Sequence, residues 1–404
     1  MRVAHINVTS GLSTGRIAAG ICENMIRLGH RALLCYSRGL MPENTPGYRI
    51  GSRADMMVHG LLSRLTDRAG FYSRAATRRL VRQLRAYAPD VIHLHNLHGY
   101  YLHLPTLFEY LGQAGVPVVW TLHDCWAFTG HCAYFDAVGC DKWQTLCFSC
   151  PQKRAYPRSV GLSQSKRNYL EKQAMFLSLP GLTLVTPSYW LRGLLDQSFL
   201  RGKPARVIRN GINLEQFRPA SRELRKHHGI EEQYVILAVA SPWDERKGLR
   251  YIAALPSRLG KDFRVVVLGL AENQIEDLPP GILGFRRTAS VETLCAWYAT
   301  ADCFINPTME DNLPTVNLEA LACGTPVATF DTGGCAETVN DACGIVVPRG
   351  DADALADAAM RLCREKADRT AACMEQAWNF DSLACTRAYC ELYGELLAHQ
   401  REME

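Results

Sequence analysis

The chain has 404 residues, 48% hydrophobic and 21% charged, with a formal net charge of +5. That length exceeds one ordinary core and suits two domains of roughly 100–200 residues each, while the charge is too small to imply nucleic acid by itself. Met1-Arg2-Val3-Ala4-His5-Ile6 reads as a strand without a signal peptide's apolar stretch or cleavage site. No run approaches the ~20 apolar residues of a membrane span, so the expectation is a cytosolic chain with at most peripheral membrane contact.

An apolar run from Val3 to Val8 leads through Thr9-Ser10-Gly11-Leu12-Ser13-Thr14-Gly15 into a helical pattern closed by Gly29, and Ala32 to Tyr36 forms the next strand. This strand, loop, helix, strand order predicts a parallel α/β unit. The pattern returns with strands at Asp90 to His95, Val116 to Leu122 and Leu182 to Thr186, and a helix at Leu104 to Gly112. A second series has strands at Tyr234 to Ala240, Arg264 to Leu268, Cys303 to Asn306, Val327 to Phe330 and Gly344 to Val347. The reading is two doubly wound sheets, whose ligands bind outside the carboxyl ends of the strands. The expected domains are 1–205, with a cysteine-rich insertion at about 125–165, and 206–370, followed by a helix at 371–404 that packs back on the first.

Chemistry concentrates between Asn306 and Gly324, where a strand ends at Pro307 and a helix can begin at Pro314. Asp311 then lies beside a helix N-terminus, where free N–H groups attract an anion such as a diphosphate, and Glu319 lies on the helix. The competing reading makes Asp311 or Asn312 an ordinary cap and Glu319 a solvated residue. Asp311 and Glu319, with seven residues between them, resemble the acid-x7-acid motif of glycosyltransferase family 4. The resemblance implies that Asp311 lies by a donor sugar, that Glu319 binds its ribose, and that Asn312 and Leu313 adjoin the donor. Glu310 precedes Asp311, and the family spacing selects Asp311.

Ala240-Ser241-Pro242-Trp243-Asp244-Glu245-Arg246-Lys247-Gly248 resembles the family's phosphate loop, with Lys247 on its lysine. Ser241 stands where the family usually has arginine, and Arg246 is the nearest substitute. Thr332-Gly333-Gly334-Cys335-Ala336-Glu337 resembles the glycine-rich loop near the donor, Gly15 the glycine-rich turn of the first domain, and His123-Asp124 the element whose histidine reaches the donor sugar. Family membership implies a GT-B fold of two Rossmann-like domains and a retaining, metal-independent transfer from a nucleotide-diphosphate sugar to a saccharide or lipid-linked saccharide. The rivals are a sugar-nucleotide epimerase, a phosphorylase and a non-catalytic sugar-nucleotide-binding protein.

Cys132, Cys140, Cys147 and Cys150 are separated by seven, six and two residues. One C-x2-C knuckle with two further thiols can hold a tetrahedral structural Zn²⁺; buried free thiols and disulfides are the other readings. Interleaved Trp126, Phe128, Tyr134 and Trp143 are expected to stack on acceptor sugars. The His-Asp-Cys-Trp and Gly-His-Cys runs resemble bacterial capsule and exopolysaccharide transferases of the family, which implies a surface-polysaccharide pathway. Asp351-Ala352-Asp353 is read as a helix cap rather than a metal motif. The arginines from Arg64 to Arg85, with Leu65, Phe71, Tyr72, Leu80, Val81 and Leu84, form either a solvated helix face or a rest on anionic lipid.

Overall fold

The structure is a computed structural model that describes residues 1–41, 44–365 and 368–403, the side chain of residue 403 excepted. It divides into two compact units: Met1–Arg209 with the chain from Ser382 onward, and Asn210–Asp381.

In the first unit, β1 (Arg2–Ile6), β2 (Arg31–Tyr36), β3 (Gly47–Arg49), β4 (Val91–Leu94), β5 (Val118–Thr121), β6 (Leu182–Thr186) and β7 (Ala205–Val207) form a parallel sheet in the order β3-β2-β1-β4-β5-β6-β7. In the second, β8 (Tyr234–Val239), β9 (Phe263–Leu268), β10 (Ile282–Phe285), β11 (Cys303–Asn306), β12 (Val327–Phe330) and β13 (Gly344–Val347) run β10-β9-β8-β11-β12-β13. Central strands are buried on both sides because crossover helices cover both faces of a parallel sheet: β4, β5, β11 and β12 are buried at every position. Strand order reverses at β1/β4 and at β8/β11, and the loops leaving these strands at their carboxyl ends flank each unit's natural ligand crevice.

The edge strands β3, β7 and β10 are absent from the sequence reading, β7 being three residues long with none buried. β3 has only three residues and none is buried, while β10, Ile-Leu-Gly-Phe, follows Pro279-Pro280-Gly281 and is half-buried throughout. None of them carries the continuous apolar run by which inner strands are found. The expected helix at 371–404 is two helices: Thr370–Trp378 belongs to the second unit and Ser382–Met403 to the first, broken around buried Phe380. The unit boundaries therefore fall after Arg209 and Asp381 rather than after 205 and 370. Tyr389, Leu392 and Tyr393 of the last helix pack with Val3, Ala18 and Cys22. Among the described residues no helix is long and apolar enough to cross a membrane.

Candidate active site

The second unit assembles its charged cluster from the two loops that leave β8 and β11. After β8 the chain turns at Ala240, and Gly269, at φ +93°, passes so close that a Cβ there would lie 1.9 Å from the Ala240 carbonyl oxygen. Asp244 caps the tight turn Glu245–Lys247, its carboxylate accepting from the Lys247 N–H at 2.9 Å. Gly248 ends the turn at φ +75°, where a Cβ would meet the Pro307 carbonyl oxygen at 2.1 Å. The Arg246 carbonyl accepts from Met309 N–H at 2.7 Å and Thr308 Oγ1 at 3.2 Å, while Arg246 Nη1 donates to the Glu310 carbonyl at 2.9 Å. Backbone and side chain together thus fix the lysine turn onto the 307–310 loop.

That clamp brings Lys247 Nζ to 2.5 Å from Asp311 Oδ2, with the two side chains 20% and 15% exposed. Asp311 Oδ1 accepts from the Asn312 N–H at 2.9 Å. Burial alone would raise the Asp311 pKa; the charges of Lys247 and then Arg246 overcome it and hold the carboxyl below its ordinary value. Gly333, at φ +58°, abuts the Asp311 carbonyl so closely that a Cβ would stand 1.7 Å from its oxygen. Gly334 is buried beside it. Asn312 and Leu313 are buried before the helix Thr315–Ala322, whose Asn317 donates to Thr338 Oγ1 at 3.0 Å and accepts from Asn306 Nδ2 at 2.8 Å. Glu319, on the same helix, is 3% exposed and accepts from the Tyr298 hydroxyl at 2.9 Å.

Arg246 is thus turned to the 310 carbonyl. It is Arg287, in the loop after β10, that stands beside Ser241, with Nε and Nη2 each 3.4 Å from Ser241 Oγ. Arg287 lies 46 residues from Ser241, and only the neighbouring of β8, β9 and β10 reveals the pairing. Tyr298, Asn306 and Asn317 likewise escape motif reading.

In the first unit, His123 follows β5 and is 7% exposed. Its Nε2 lies 3.1 Å from His95 Nδ1, and His95 Nε2 lies 3.2 Å from His5 Nδ1, so three imidazoles form a chain. His93 beside them pairs with Thr121 Oγ1 at 2.8 Å and the Tyr393 hydroxyl at 2.7 Å. Burial pushes His123 down to about 4 and His5 to about 3, and takes His93 and His95 well below their ordinary value. His123 is therefore a neutral imidazole near pH 7, a hydrogen-bonding group rather than a cation. Asp124, next in sequence, accepts from Trp126 N–H at 2.9 Å and pairs with His98 at 2.7 Å; His98 reaches the Tyr156 hydroxyl at 3.0 Å. Gly15 lets the first helix sit on the preceding loop, since a Cβ there would be 2.5 Å from Thr9 Oγ1 and 2.9 Å from the Thr9 carbonyl oxygen.

Two stretches of the chain match sequence models of one enzyme group: residues 14–216 that of Glycosyltransferase Family 4, and residues 233–365 that of Glycosyl transferases group 1. The chain belongs to glycosyltransferase family 4. Among curated relatives of this family-4 chain, a protein of Escherichia coli (strain K12) assigned to colanic acid biosynthesis as glycosyl transferase WcaC is 25% identical over 65% of this chain and 65% of its own length. A D-inositol 3-phosphate glycosyltransferase of Saccharomonospora viridis is 29% identical over 48% of this chain and 50% of its own. These matches thus span about half to just under two thirds of the relatives' length. The GT-B fold is shared with sucrose-phosphate synthase of Thermosynechococcus elongatus (TM-score 0.72, 18% identity, 98% and 99% of the two chains). It is shared also with Anabaena HepE in complex with UDP-glucose (TM-score 0.69, 15% identity, 98% and 100%).

The cysteine-rich segment of the family-4 chain differs from expectation. Zinc-bound thiolates at about 2.3 Å from the metal stand within ~4 Å of one another, yet among the described residues the one trio of ligand atoms within 4.8 Å is His5, His93 and His95. Of the four cysteines, Cys132 and Cys150 meet as a pair whose shared hydrogen bond raises the Cys132 pKa and lowers that of Cys150 to about 6. Charge interactions link Cys147 to Cys132, Cys140 and Cys150, but among the described residues no three of these four sulfurs lie within 4.8 Å of one another. Nor does the histidine trio offer open ligands, because both nitrogens of His93 and of His95 already have protein partners. Trp126, Phe128 and Trp143 are at most 3% exposed and belong to the core, so their faces are not open to a sugar. Lys172, 1% exposed, donates to the Trp126 carbonyl and lies 3.7 Å over its ring; burial takes it to about 7. Asp351 caps its helix through Ala354 N–H at 2.9 Å, and Asp353 pairs with Arg258.

Proposed function

We propose that this protein transfers a sugar, with retention of anomeric configuration, from a nucleoside-diphosphate sugar to a saccharide or lipid-linked saccharide during assembly of a bacterial surface polysaccharide. The observation that carries the reading is the Lys247–Asp311 pair, fixed by two close-packed glycines where β8 and β11 part. Family membership supports transfer, HepE's complex with UDP-glucose supports the donor class, and the WcaC likeness supports the pathway.

Lys247, with Arg287 beside Ser241, supplies positive charge to the departing diphosphate, which lowers the barrier by matching charge that grows in the transition state. The bond from the anomeric carbon to the phosphate oxygen breaks with its electron pair going to the phosphate. The acceptor oxygen bonds to the same face of that carbon, and its proton passes to the leaving phosphate oxygen. Asp311 orients Lys247, Glu319 receives ribose hydroxyls, and Asn312, Leu313, Gly333 and Gly334 shape the donor side. No step in this scheme needs a metal. We infer a cytoplasmic reaction, with peripheral contact at the inner face of the cytoplasmic membrane as the route to a lipid-linked acceptor.

The test is to incubate the protein with a panel of nucleotide sugars and saccharide acceptors, reading nucleoside-diphosphate release and the anomeric proton couplings of the product. Acceptor-dependent release with retained configuration is expected. An epimerised donor without acceptor, an inverted product, or no turnover across the panel contradicts the proposal.

A further inference from the structure

In the stretch from Arg64 to Arg85, which the sequence offers either as a solvated helix face or as a rest on anionic lipid, Leu80, Val81 and Leu84 of the helix Arg74–Tyr87 lie in the first unit's core. The exposed apolar face belongs instead to the preceding helix, Arg53–Thr66, which is inside out. Its two buried residues are polar, His59 and Ser63, while Met57, Val58, Leu61 and Leu65 are 75%, 57%, 59% and 54% exposed. Their i, i+1, i+4, i+8 spacing gathers them within about 100° of arc. A surface helix ordinarily turns its apolar stripe to the core and its polar residues to water.

The patch continues beyond the helix. Val160 N–H donates to the Arg64 carbonyl at 2.8 Å, and Ser159 Oγ to the same oxygen at 3.0 Å. Gly161 approaches so closely that a Cβ would lie 1.8 Å from the Leu65 carbonyl oxygen. This seam sets Val160, 62% exposed, and Leu162, 84% exposed, next to Leu65. Exposed apolar residues scattered singly need no explanation, but a contiguous group marks an interaction surface.

Charge selects the partner. Arg53 and Arg64 are exposed on the helix, and Arg154, Arg158 and Lys166 are exposed in the adjoining segment. Between residues 151 and 166 there is no Asp or Glu, and the helix's one acid, Asp55, is held by Ser52 and by Arg79 at 3.3 Å. An apolar stripe edged with arginine matches a surface that offers acyl chains and phosphates together. We propose that the helix Arg53–Thr66 with the Val160–Leu162 loop docks on an anionic phospholipid bilayer. It rests on the proposed function only in serving a lipid-linked acceptor, and the binding itself is read without turnover.

The full-length protein is sedimented with vesicles of phosphatidylcholine alone and with vesicles containing phosphatidylglycerol, at low and high salt. Binding is expected only with phosphatidylglycerol and weakens with salt. Leu61→Gln with Leu65→Gln should cut it about tenfold or more without lowering the melting temperature, since both leucines face solvent. Met57→Trp should show a blue-shifted emission on the same vesicles. The proposal is overturned by no binding to phosphatidylglycerol vesicles or by equal binding of the double variant. A wild-type dimer in sedimentation velocity that the double variant converts to monomer also overturns it, because the face then belongs to a second copy. Because no donor is present, loss of this proposal and loss of the transferase reading are separate results.

Discussion

Replacing Gly333 with alanine tests whether the glycine loop sets the position of Asp311. The added Cβ would lie 1.7 Å from the Asp311 carbonyl oxygen, whereas carbon–oxygen contacts settle at about 3.3–3.6 Å. The obstruction is backbone rather than a movable side-chain tip, so the two loops must part by roughly 1.5 Å. Alanine at φ +58° also takes on about 1–2 kcal/mol of left-handed strain. In a unit of this size each kcal/mol corresponds to roughly 2–4 °C of melting temperature. The displaced carboxylate leaves Lys247 Nζ, now 2.5 Å away, and misplacement on the order of 1 Å costs about a hundredfold in rate. Nucleoside-diphosphate release with donor and acceptor present, alongside thermal melting, reads both effects. Gly260→Ala is the control: its Cβ would meet nothing within 4 Å, and its φ is not positive. Wild-type turnover and melting in Gly333→Ala would refute the claim that close packing here positions the acid.

Three further outcomes follow from the same geometry. Tyr298→Phe deprives buried Glu319 of the hydroxyl donor at 2.9 Å and should lower the denaturation free energy by about 1.5–3 kcal/mol; an unchanged denaturation curve contradicts this. Arg287→Ala should weaken nucleoside-diphosphate binding about tenfold with the melting temperature held, whereas unchanged affinity would remove Arg287 from the donor site. His123 and His5 have folded values of about 4 and 3 against an ordinary 6.5. The unfolded chain therefore binds more protons in that interval, so stability is full above about pH 6.5 and falls as pH drops toward 4. Each imidazole adds a slope of about 1.4 kcal/mol per pH unit. Urea denaturation at a series of pH values measures it, and His123→Gln should flatten it.

Inner strands were legible because burial on both faces leaves an unbroken apolar run, as in Tyr234–Val239; β3 and β10, at edges, lack that signature. Lys247, Asp311 and Gly333 were legible because the runs around them resemble family 4 motifs, and Lys247 and Asp311 also follow strands whose carboxyl ends border the crevice. The partners that complete the site were not: Arg287 reaches Ser241, and His95 reaches His5 ninety residues away, only through strand neighbours in the sheets. Cysteine spacing gathered Cys132 with Cys150 and Cys147 near Cys140, but it could not tell how far Cys132 and Cys147 also fill core space. Periodicity equally could not tell that Met57, Leu61 and Leu65 face outward, since a helical stripe has the same spacing whichever side it turns.

The central claim is that Lys247, paired with Asp311, receives the diphosphate of the donor. Titration calorimetry of nucleoside diphosphates against wild type and Lys247→Ala tests it most directly. The account predicts that at least one nucleoside diphosphate binds wild type and that its affinity falls by about tenfold or more in the variant, with the melting temperature of the free protein little changed. Equal affinity in the two proteins would contradict it.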